Sequence, residues 1–245
     1  GVGPAGDHVA DGGPHVGQHI VSDARDVQKY YAQKFGKSST FIPYGAPETP
    51  AASRDILDRL GLEPRQYILY VSRMEPENNA HRVVEAFERT QTDLKLVMVG
   101  DAPYSSDYIQ RLRASKDPRI VFTGYVFGQG YRELQSYAAF YVQATEVGGT
   151  HPALLEGMGY GNCVLANDVP EHREVLQHAG VYFHTRHDDD LYEKMQYLLD
   201  HPEVVQSYRD KVREHVHRHY SWDKVTGDYE ELFYKVTRCK KRERA

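Results

Sequence analysis

The segment FYVQATEVGGTHPALLEGMGYGNCVLAN (140–167) decides the fold. Its two ends, 140–144 and 162–167, are nearly continuous apolar runs, which is typical of strands covered by helices on both faces. Between them a Gly-Gly-Thr turn opens into a helix that carries Pro152 in its first turn. Strand, turn, helix and strand in this order predict one unit of a parallel sheet.

The turn in this segment has the features of an anion site. Gly148, Gly149 and Thr150 come just before the helix, so free backbone N–H groups and the positive end of the helix dipole meet there. Glu156, one turn into the helix, has a carboxylate that can face the same point. The combination suggests a ligand with phosphate at one end and hydroxyls nearby. The alternative is a plain strand-to-helix turn that uses glycine for a positive φ, with Glu156 solvated.

The same alternation of strands and helices extends along the chain in both directions. It predicts an α/β fold, a doubly wound parallel sheet of the Rossmann-like kind with helices closing the chain. The predicted strands are 19–22, 39–46, 67–72, 94–100, 119–124, 140–144, 162–167 and 180–183, and the predicted helices are 23–35, 54–62, 79–90, 107–114, 129–138, the helix that opens at Pro152, 170–178, 188–200, 202–220 and 221–236.

In a doubly wound sheet, ligands bind at the carboxyl ends of the strands. The loops predicted there are 73–79, 101–106, 125–130 and 146–151. Arg73 comes immediately after a strand, where its guanidinium can hold a diphosphate through two hydrogen bonds. The alternative for Arg73 is an ordinary exposed arginine at a strand end.

Composition excludes several classes of protein. The chain has 245 residues, 40% of them hydrophobic, and a net charge of −5, so no basic field indicates nucleic acid as a partner. Its two cysteines, Cys163 and Cys239, do not form a disulfide framework, which favours a reducing compartment. The apolar runs are far shorter than a membrane span, and we expect no signal peptide, because no apolar h-region is recognised at the start of the sequence. We expect a soluble, cytoplasmic protein.

The first 17 residues are rich in Gly, Pro and His and are interpreted as an irregular segment. GVGPAG (1–6) matches the dinucleotide pattern G-x-G-x-x-G, but no strand precedes it and Pro4 lies inside it. A dinucleotide-dependent oxidoreductase is thus an alternative function, but this pattern is the only feature that favours it. The polar segment PETPAAS (47–53) is the best candidate for a domain boundary.

Several motifs together resemble a known family. YVSRMEPENNAHRVVEAF (70–87), LVMVGDAP (96–103), RIVFTGYV (119–126) and TEVGGTHPALLEGMGYGNCVLANDVPEHREVL (145–176) follow one another in the order and at the spacing of the donor half of retaining GT-B glycosyltransferases. The resemblance runs from about residue 19 to residue 222. HIVSDARDVQKYYAQKFG (19–36) and FIPYGA (41–46) resemble the family's crossing point between its acceptor and donor domains.

The resemblance implies a division of the chain. Residues 18–50 would be the end of the acceptor domain and the crossover, 51–220 the nucleotide-sugar donor-binding domain, and 221–245 the crossover helix with a basic tail. An acceptor half of comparable size is not recognised in this sequence, so we expect donor binding but poor transfer. The final helix would pack on that half, and we expect it to expose apolar residues such as Leu232 and Phe233.

The family also implies residue roles. Arg73 would hold the diphosphate, Glu156 the ribose hydroxyls, and the backbone at Tyr125 and Val126 the base. The amides of Gly149, Thr150 and His151 would hold phosphate and sugar and, together with Arg73, form the catalytic group that stabilises the leaving diphosphate. The implied donor-binding set is Arg73, Asn78, Asp101, Tyr125, Val126, Gly148, Gly149, Thr150, Leu155 and Glu156. This fold class needs no metal, and no cofactor is expected beyond the nucleotide-sugar substrate.

Two positions depart from the family pattern. Gly148 stands where the usual Glu-x7-Glu motif has its first carboxylate, and Asn78 stands where a lysine is usual. ENN together with VGGTxPxLLE resembles a subgroup of rhamnosyltransferase-like enzymes that make surface polysaccharides. The implied function is transfer of a sugar from a nucleotide diphosphate-sugar to a glycan or lipid-linked acceptor, with retention. The alternative is a non-catalytic nucleotide-sugar binding or regulatory module.

Three further patterns are not interpreted as sites. HDDD (187–190) opens a helix, where acidic residues complement the dipole. His215 and His219 have the i, i+4 spacing of a zinc pair, but no third ligand is near, so we interpret them as a solvated helix face. KKRERA (240–245) is interpreted as a solvated tail, with peripheral contact at the inner membrane surface as the alternative.

Overall fold

A computed structural model of the chain describes residues 19–102, 106–146, 152–187 and 189–242, with the backbone alone at 106 and 238–242. The dinucleotide-like pattern at 1–6 therefore lies outside the described residues, as do the donor-binding Gly148, the catalytic amides predicted at 149–151 and residue 188 of the HDDD segment.

The centre of the molecule is a parallel sheet of six strands in the order β5-β4-β3-β6-β7-β8. This is the doubly wound order of the Rossmann fold, and it confirms the predicted fold class. The strands are β3 (Tyr67–Val71), β4 (Lys95–Val99), β5 (Ile120–Gly124), β6 (Phe140–Gln143), β7 (Cys163–Asn167) and β8 (Val181–Phe183).

Helices cover both faces of the sheet and close the chain. They are α1 (Arg25–Phe35), α2 (Asp55–Leu60), α3 (Ala80–Glu88), α4 (Ser106–Arg113), α5 (Gly128–Tyr137), α6 (Pro152–Gly159), α7 (Pro170–Leu176), α8 (Asp190–Asp200), α9 (Pro202–His219) and α10 (Trp222–Arg242). Gly61 ends α2 in the left-handed region at φ 60°, as its position after the helix predicts.

Alternate residues of each strand enter two separate hydrophobic cores. Leu69 and Tyr141 face the core shared with α6 and α9, whereas Ile68 and Phe140 face the core shared with α3 and α8. Both cores are almost free of solvent, which explains why the strand sequences are continuous apolar runs rather than alternating ones.

The N-terminal residues form a small unit of their own. Strands β1 (Ile20–Ser22) and β2 (Ser39–Phe41) pair in parallel, apart from the main sheet, with α1 connecting them. The strand predicted over 39–46 ends at Phe41, two residues before Pro43, which has no N–H to donate to a neighbouring strand.

Helix α10 packs on this N-terminal unit. Ile42, Val225 and Leu232 form a common cluster, and Leu232 is only 8% exposed. The expectation that Leu232 is exposed is therefore wrong, because the residue faces Ile42. Phe233, on the other side of the helix, is 62% exposed, as expected.

The interpretation of His215 as solvated is also wrong. Its side chain is 3% exposed, and its Nε2 donates to the carbonyl oxygen of Val175 at 2.8 Å. Burial lowers the pKa of His215, which favours the neutral ring. His219 is exposed. Among the described residues, no three His, Cys, Asp or Glu side chains are grouped as a metal site.

Burial raises the pKa of the Cys163 thiol to about 12, so it is not a thiolate at neutral pH. Within the described ranges, no helix combines the length and the apolar character needed to cross a membrane.

Candidate functional site

The sheet has its switch point between β3 and β6. These strands are neighbours, but the chain leaves β3 toward β4 on one side and β6 toward β7 on the other. The segments that follow β3 and β6 therefore run in opposite directions from the carboxyl ends of these two strands. In doubly wound proteins, the crevice between two such segments is where ligands bind. Arg73 follows β3 and Glu146 follows β6, so both predicted loops begin at this crevice.

The guanidinium of Arg73 is exposed and can bind an anion. Its side chain is 73% exposed, and its guanidinium lies 3.5 Å from the Glu75 carboxylate. An exposed ion pair of this kind contributes little stability, because both charges stay in water. The guanidinium can therefore exchange Glu75 for a diphosphate at small cost.

The Asn78 side chain fixes the backbone of the loop that carries Arg73. This side chain is 7% exposed, and its amide nitrogen donates to the carbonyl oxygen of Arg73 at 2.8 Å. The backbone carbonyl of Asn78 accepts a hydrogen bond from the Tyr70 hydroxyl at 2.7 Å. The structure therefore places Asn78 in the wall of the crevice, where it shapes the loop around Arg73.

Close approach of β4 also shapes this wall. Gly100 has φ 134°, and a Cβ there would lie 1.8 Å from the carbonyl oxygen of Ser72. Only glycine fits at this distance, so the end of β4 lies directly against the residue before Arg73.

A line of buried polar side chains forms the floor at β6. The Tyr141 hydroxyl donates to Gln143 Oε1 at 2.7 Å, and Gln143 Nε2 donates to Thr145 Oγ1 at 3.0 Å. Asn79 Nδ2 donates to the Ala144 carbonyl at 2.9 Å and so joins the β3 loop to the end of β6. Sequence reasoning missed these residues. The available signal is a polar residue, Gln143, inside an otherwise apolar strand.

The predicted anion loop is described only at its two ends. Gly148, Gly149, Thr150 and His151 lie outside the described residues. Before the loop, the Glu146 N–H donates to the Glu77 carbonyl at 3.2 Å, and after it α6 begins at Pro152. The N-terminus of α6, which is the positive end of its dipole, therefore comes directly after this segment in the chain.

Glu156 and Leu155 have different environments on α6. Leu155 is 1% exposed and belongs to the core, so its side chain does not face the crevice. Glu156 is half-buried, and its Oε2 accepts a hydrogen bond of 2.6 Å from the Tyr131 hydroxyl. Tyr131 lies on α5 and was missed by sequence reasoning, because nothing local in the sequence connects two residues 25 positions apart.

Asp101 and Tyr125 meet at the ends of β4 and β5. The Tyr125 hydroxyl donates to the Asp101 carbonyl at 3.0 Å, and Asp101 Oδ1 accepts from the Ala102 N–H at 2.9 Å. The Tyr125 ring stacks on Phe127 at 5.7 Å with 18° between the planes, and Phe127 is 79% exposed. Val126 is partly buried against the core. Phe127 is a surface residue that sequence reasoning missed.

These groups can together bind an anion next to hydroxyls. Arg73 offers an exposed cation after β3, and α6, which carries the Glu156 carboxylate, follows β6, the neighbouring strand at the switch point. Charge-assisted hydrogen bonds and a helix dipole suit phosphate, whereas a carboxylate suits hydroxyl donors.

Comparison with known proteins identifies the class. The family described as Glycosyl transferases group 1 matches residues 65–201, which is more than half of the chain. The chain therefore belongs to this family of glycosyltransferases.

Individual relatives agree with this class. The chain is 24% identical over 181 residues to N-acetyl-alpha-D-glucosaminyl L-malate synthase of Bacillus anthracis. The aligned residues cover 72% of this chain and 47% of the synthase. The chain is 27% identical over 154 residues to O-antigen chain mannosyltransferase B of Escherichia coli, which covers 60% of this chain and 39% of that protein. The chain thus spans less than half the length of these two curated relatives.

Solved structures show the same fold. The chain superposes on the crystal structure of Anabaena HepE in complex with UDP and glucose with a TM-score of 0.78 at 15% identity. The superposition covers 89% of this chain and 63% of the HepE chain. A glycosyltransferase of Rickettsia africae has a TM-score of 0.78 at 14% identity and covers 90% of this chain and 64% of that one. The described fold is a Rossmann-like α/β fold that matches these glycosyltransferase structures.

Proposed function

We propose that this chain is the donor-binding part of a retaining glycosyltransferase, which moves a sugar from a nucleotide diphosphate-sugar to a glycan or lipid-linked acceptor. The proposal is supported by one observation: Arg73 follows β3, and α6, which carries Glu156, follows β6, the neighbouring strand at the switch point, in a chain that belongs to a glycosyltransferase family. A cation, a helix dipole and a carboxylate match the diphosphate and the pentose of such a donor.

In this proposal Arg73 binds the diphosphate and Glu156 accepts from the pentose hydroxyls. The backbone at Tyr125 and Val126 contacts the base, and the amides at Gly149 to His151 contact phosphate and sugar. Transfer passes through an oxocarbenium-like state as the nucleotide diphosphate leaves. Catalysis then depends on stabilising the negative charge that develops on the leaving phosphate. Arg73 and these amides provide this stabilisation without a metal.

One of the two departures from the family pattern, Asn78, has a structural role in this proposal. Its amide is engaged with the Arg73 carbonyl, so in place of a second cation this position fixes the loop that carries the first. The proposal therefore assigns the diphosphate charge to Arg73 alone among the side chains of this loop, as a trait of a rhamnosyltransferase-like subgroup.

The biological setting is also a proposal. The similarity to an O-antigen chain mannosyltransferase supports a role in surface-polysaccharide synthesis. A cytoplasmic location would give access to nucleotide-sugars, and the basic tail would touch the inner membrane surface where lipid-linked acceptors lie.

The experiment that tests the activity is transfer or donor hydrolysis by the intact gene product. Proton NMR of the first product gives the anomeric configuration. We expect the configuration of the donor to be kept and turnover to fall in Arg73→Ala. Arg54→Ala is the matched control, since Arg54 is an exposed arginine paired with Asp58 at 3.7 Å outside the crevice. An inverted product would contradict the retaining mechanism.

A second candidate function is a non-catalytic module that binds nucleotide-sugars. Gly148 favours it, because the position has no carboxylate where the related enzymes have one. Donor binding without transfer or hydrolysis by the intact gene product would support this second candidate over the first.

A further inference from the structure

A second layer of hydrogen bonds lies behind Glu156. The Tyr131 hydroxyl donates to Glu156 Oε2 at 2.6 Å and accepts from Gln135 Nε2 at 3.0 Å. Gln135 is fully buried, and its own backbone and side-chain oxygens accept from Asn162 Nδ2 at 2.8 and 3.3 Å. The half-buried carboxylate is thereby connected to a fixed, buried amide.

Packing keeps this layer in place. Gly157 follows Glu156, and a Cβ at Gly157 would lie 3.2 Å from the Tyr141 ring and 3.4 Å from Gln135 Oε1. A side chain at this position would crowd both residues, so glycine allows α6 to lie close to Gln135 on α5. The side chains of Tyr131, Gln135 and Glu156 therefore lie together at the interface between α5 and α6.

The network has a definite direction. Because the Gln135 amide donates to the Tyr131 oxygen, the Tyr131 hydrogen is directed at Glu156. Burial, together with the nearby Glu156 charge, holds the pKa of Tyr131 far above its usual value, so the hydroxyl remains a donor at physiological pH. Successive hydrogen bonds of this kind polarise and strengthen one another.

The arrangement leaves one carboxylate oxygen for a ligand. Oε2 is engaged by Tyr131, and no residue in the described part of the chain donates to Oε1. A carboxylate has about four acceptor positions, so a partner on Oε2 orients the group without saturating it. A carboxylate that is already oriented binds a hydroxyl without first losing its rotamer freedom.

We propose that Tyr131 and Gln135 are positioning residues that orient Glu156 so that it accepts the 3′-hydroxyl of the bound nucleotide. This rests on the proposed donor site. The 3′-hydroxyl is the pentose hydroxyl that UDP, GDP and TDP share, so the proposal does not depend on which base is bound. Tyr131 acts through Glu156 and does not itself touch the reacting atoms.

The test compares affinity for a nucleotide with affinity for its 3′-deoxy analogue. UDP, GDP and TDP are titrated calorimetrically against the wild-type chain, and the tightest of them is paired with its 3′-deoxy form. We expect wild type to prefer the 3′-hydroxyl form by about tenfold, the scale of one lost hydrogen bond to a charged group. We expect Tyr131→Phe to reduce that preference to about threefold or less.

Tyr137→Phe is the matched control. Tyr137 lies on the same helix, and its hydroxyl donates to the Ala51 carbonyl at 2.9 Å, away from Glu156. This variant should keep the full preference. In the double variant Tyr131→Phe/Glu156→Gln the tyrosine change should add almost nothing to the effect of Glu156→Gln, because the two residues act as one unit.

The outcomes separate the two proposals. Binding of a diphosphate with an unchanged 3′-hydroxyl preference in Tyr131→Phe overturns the positioning role and leaves the donor site standing. No binding of any diphosphate to wild type overturns the donor site and the positioning role together. If Tyr131→Phe does not fold, Gln135→Met serves instead: a reduced preference supports the network, and an unchanged one overturns it.

Discussion

Two carboxylates on adjacent helices, Glu133 on α5 and Glu156 on α6, are used in opposite ways. Glu133 is 1% exposed, and both of its oxygens are engaged: Oε1 accepts from Ser53 Oγ at 2.6 Å and Oε2 from the Ile56 N–H at 2.7 Å. Glu156 is half-buried, and among the described residues it holds only the Tyr131 hydroxyl. A saturated carboxylate stabilises the fold, whereas a partly satisfied one at the crevice is free to bind a ligand.

The role of Glu133 follows from the start of α2. The N-cap residue of this helix, Arg54, makes no side-chain capping bond, so the first N–H groups need another acceptor. Glu133 supplies it from a distant part of the chain and joins the segment before α2 to α5. The chain thus replaces a local cap by a long-range one.

The largest expected effect is on stability. Glu133→Ala removes the acceptor of one buried and one part-buried donor, and we expect the free energy of unfolding to fall by roughly 2–3 kcal/mol. Glu156→Ala should cost less than about 1 kcal/mol, because its one partner is partly solvated. Urea unfolding of both variants measures the difference. Equal losses would contradict the contrast between the two carboxylates.

A somewhat smaller effect is expected for Arg73 on ligand binding. Arg73→Ala should weaken binding of a nucleoside diphosphate by roughly 1–2 kcal/mol more than binding of the corresponding monophosphate, because a charge-assisted hydrogen bond to the second phosphate is lost. Calorimetric titration of both nucleotides measures it. Glu133→Gln is the control and should bind both as wild type does. Equal losses for the two nucleotides would count against the diphosphate role.

The smallest expected effect is on the pH dependence of stability. Burial by itself raises the pKa of Glu133, but the hydrogen bonds from the Ile56 N–H, Ser53 and Gln129 outweigh it, and the net pKa is lowered. A lowered folded-state pKa stabilises the fold above the unfolded value of about 4.3, and this contribution is lost as the pH falls through the folded pKa.

The measurement is urea unfolding of wild type and Glu133→Gln between about pH 6 and pH 3. The stability advantage of wild type should be constant in the upper part of this range and shrink below about pH 4.3. An advantage that grows on acidification would show that the folded state raises this pKa.

The fold was predictable because its signals are local. Runs such as 67–72 and 162–167 are apolar without alternation, and Gly61 marks a helix end, so each element could be recognised from its own residues. That the segments carrying Arg73 and the start of α6 come after strands of one parallel sheet could likewise be predicted from the order of the elements.

The contacts between elements were not predictable in the same way. The pairs Glu133–Ile56 and Tyr131–Glu156 lie 77 and 25 residues apart in the chain. Whether they meet depends on the rotation of α5 against its neighbours, which no single segment encodes. The same reason explains the errors at His215 and Leu232, whose faces are covered by Val175 and Ile42.

The most direct test of the central claim is calorimetric titration of this chain with UDP, GDP, TDP and NAD, for wild type and for Glu156→Ala. We predict that one nucleoside diphosphate binds with micromolar to millimolar affinity and that Glu156→Ala weakens this binding by roughly 1–3 kcal/mol, the scale of a lost hydrogen bond to a charged group. Binding of NAD alone, no binding at all, or an affinity unchanged by Glu156→Ala would contradict a donor site at this crevice.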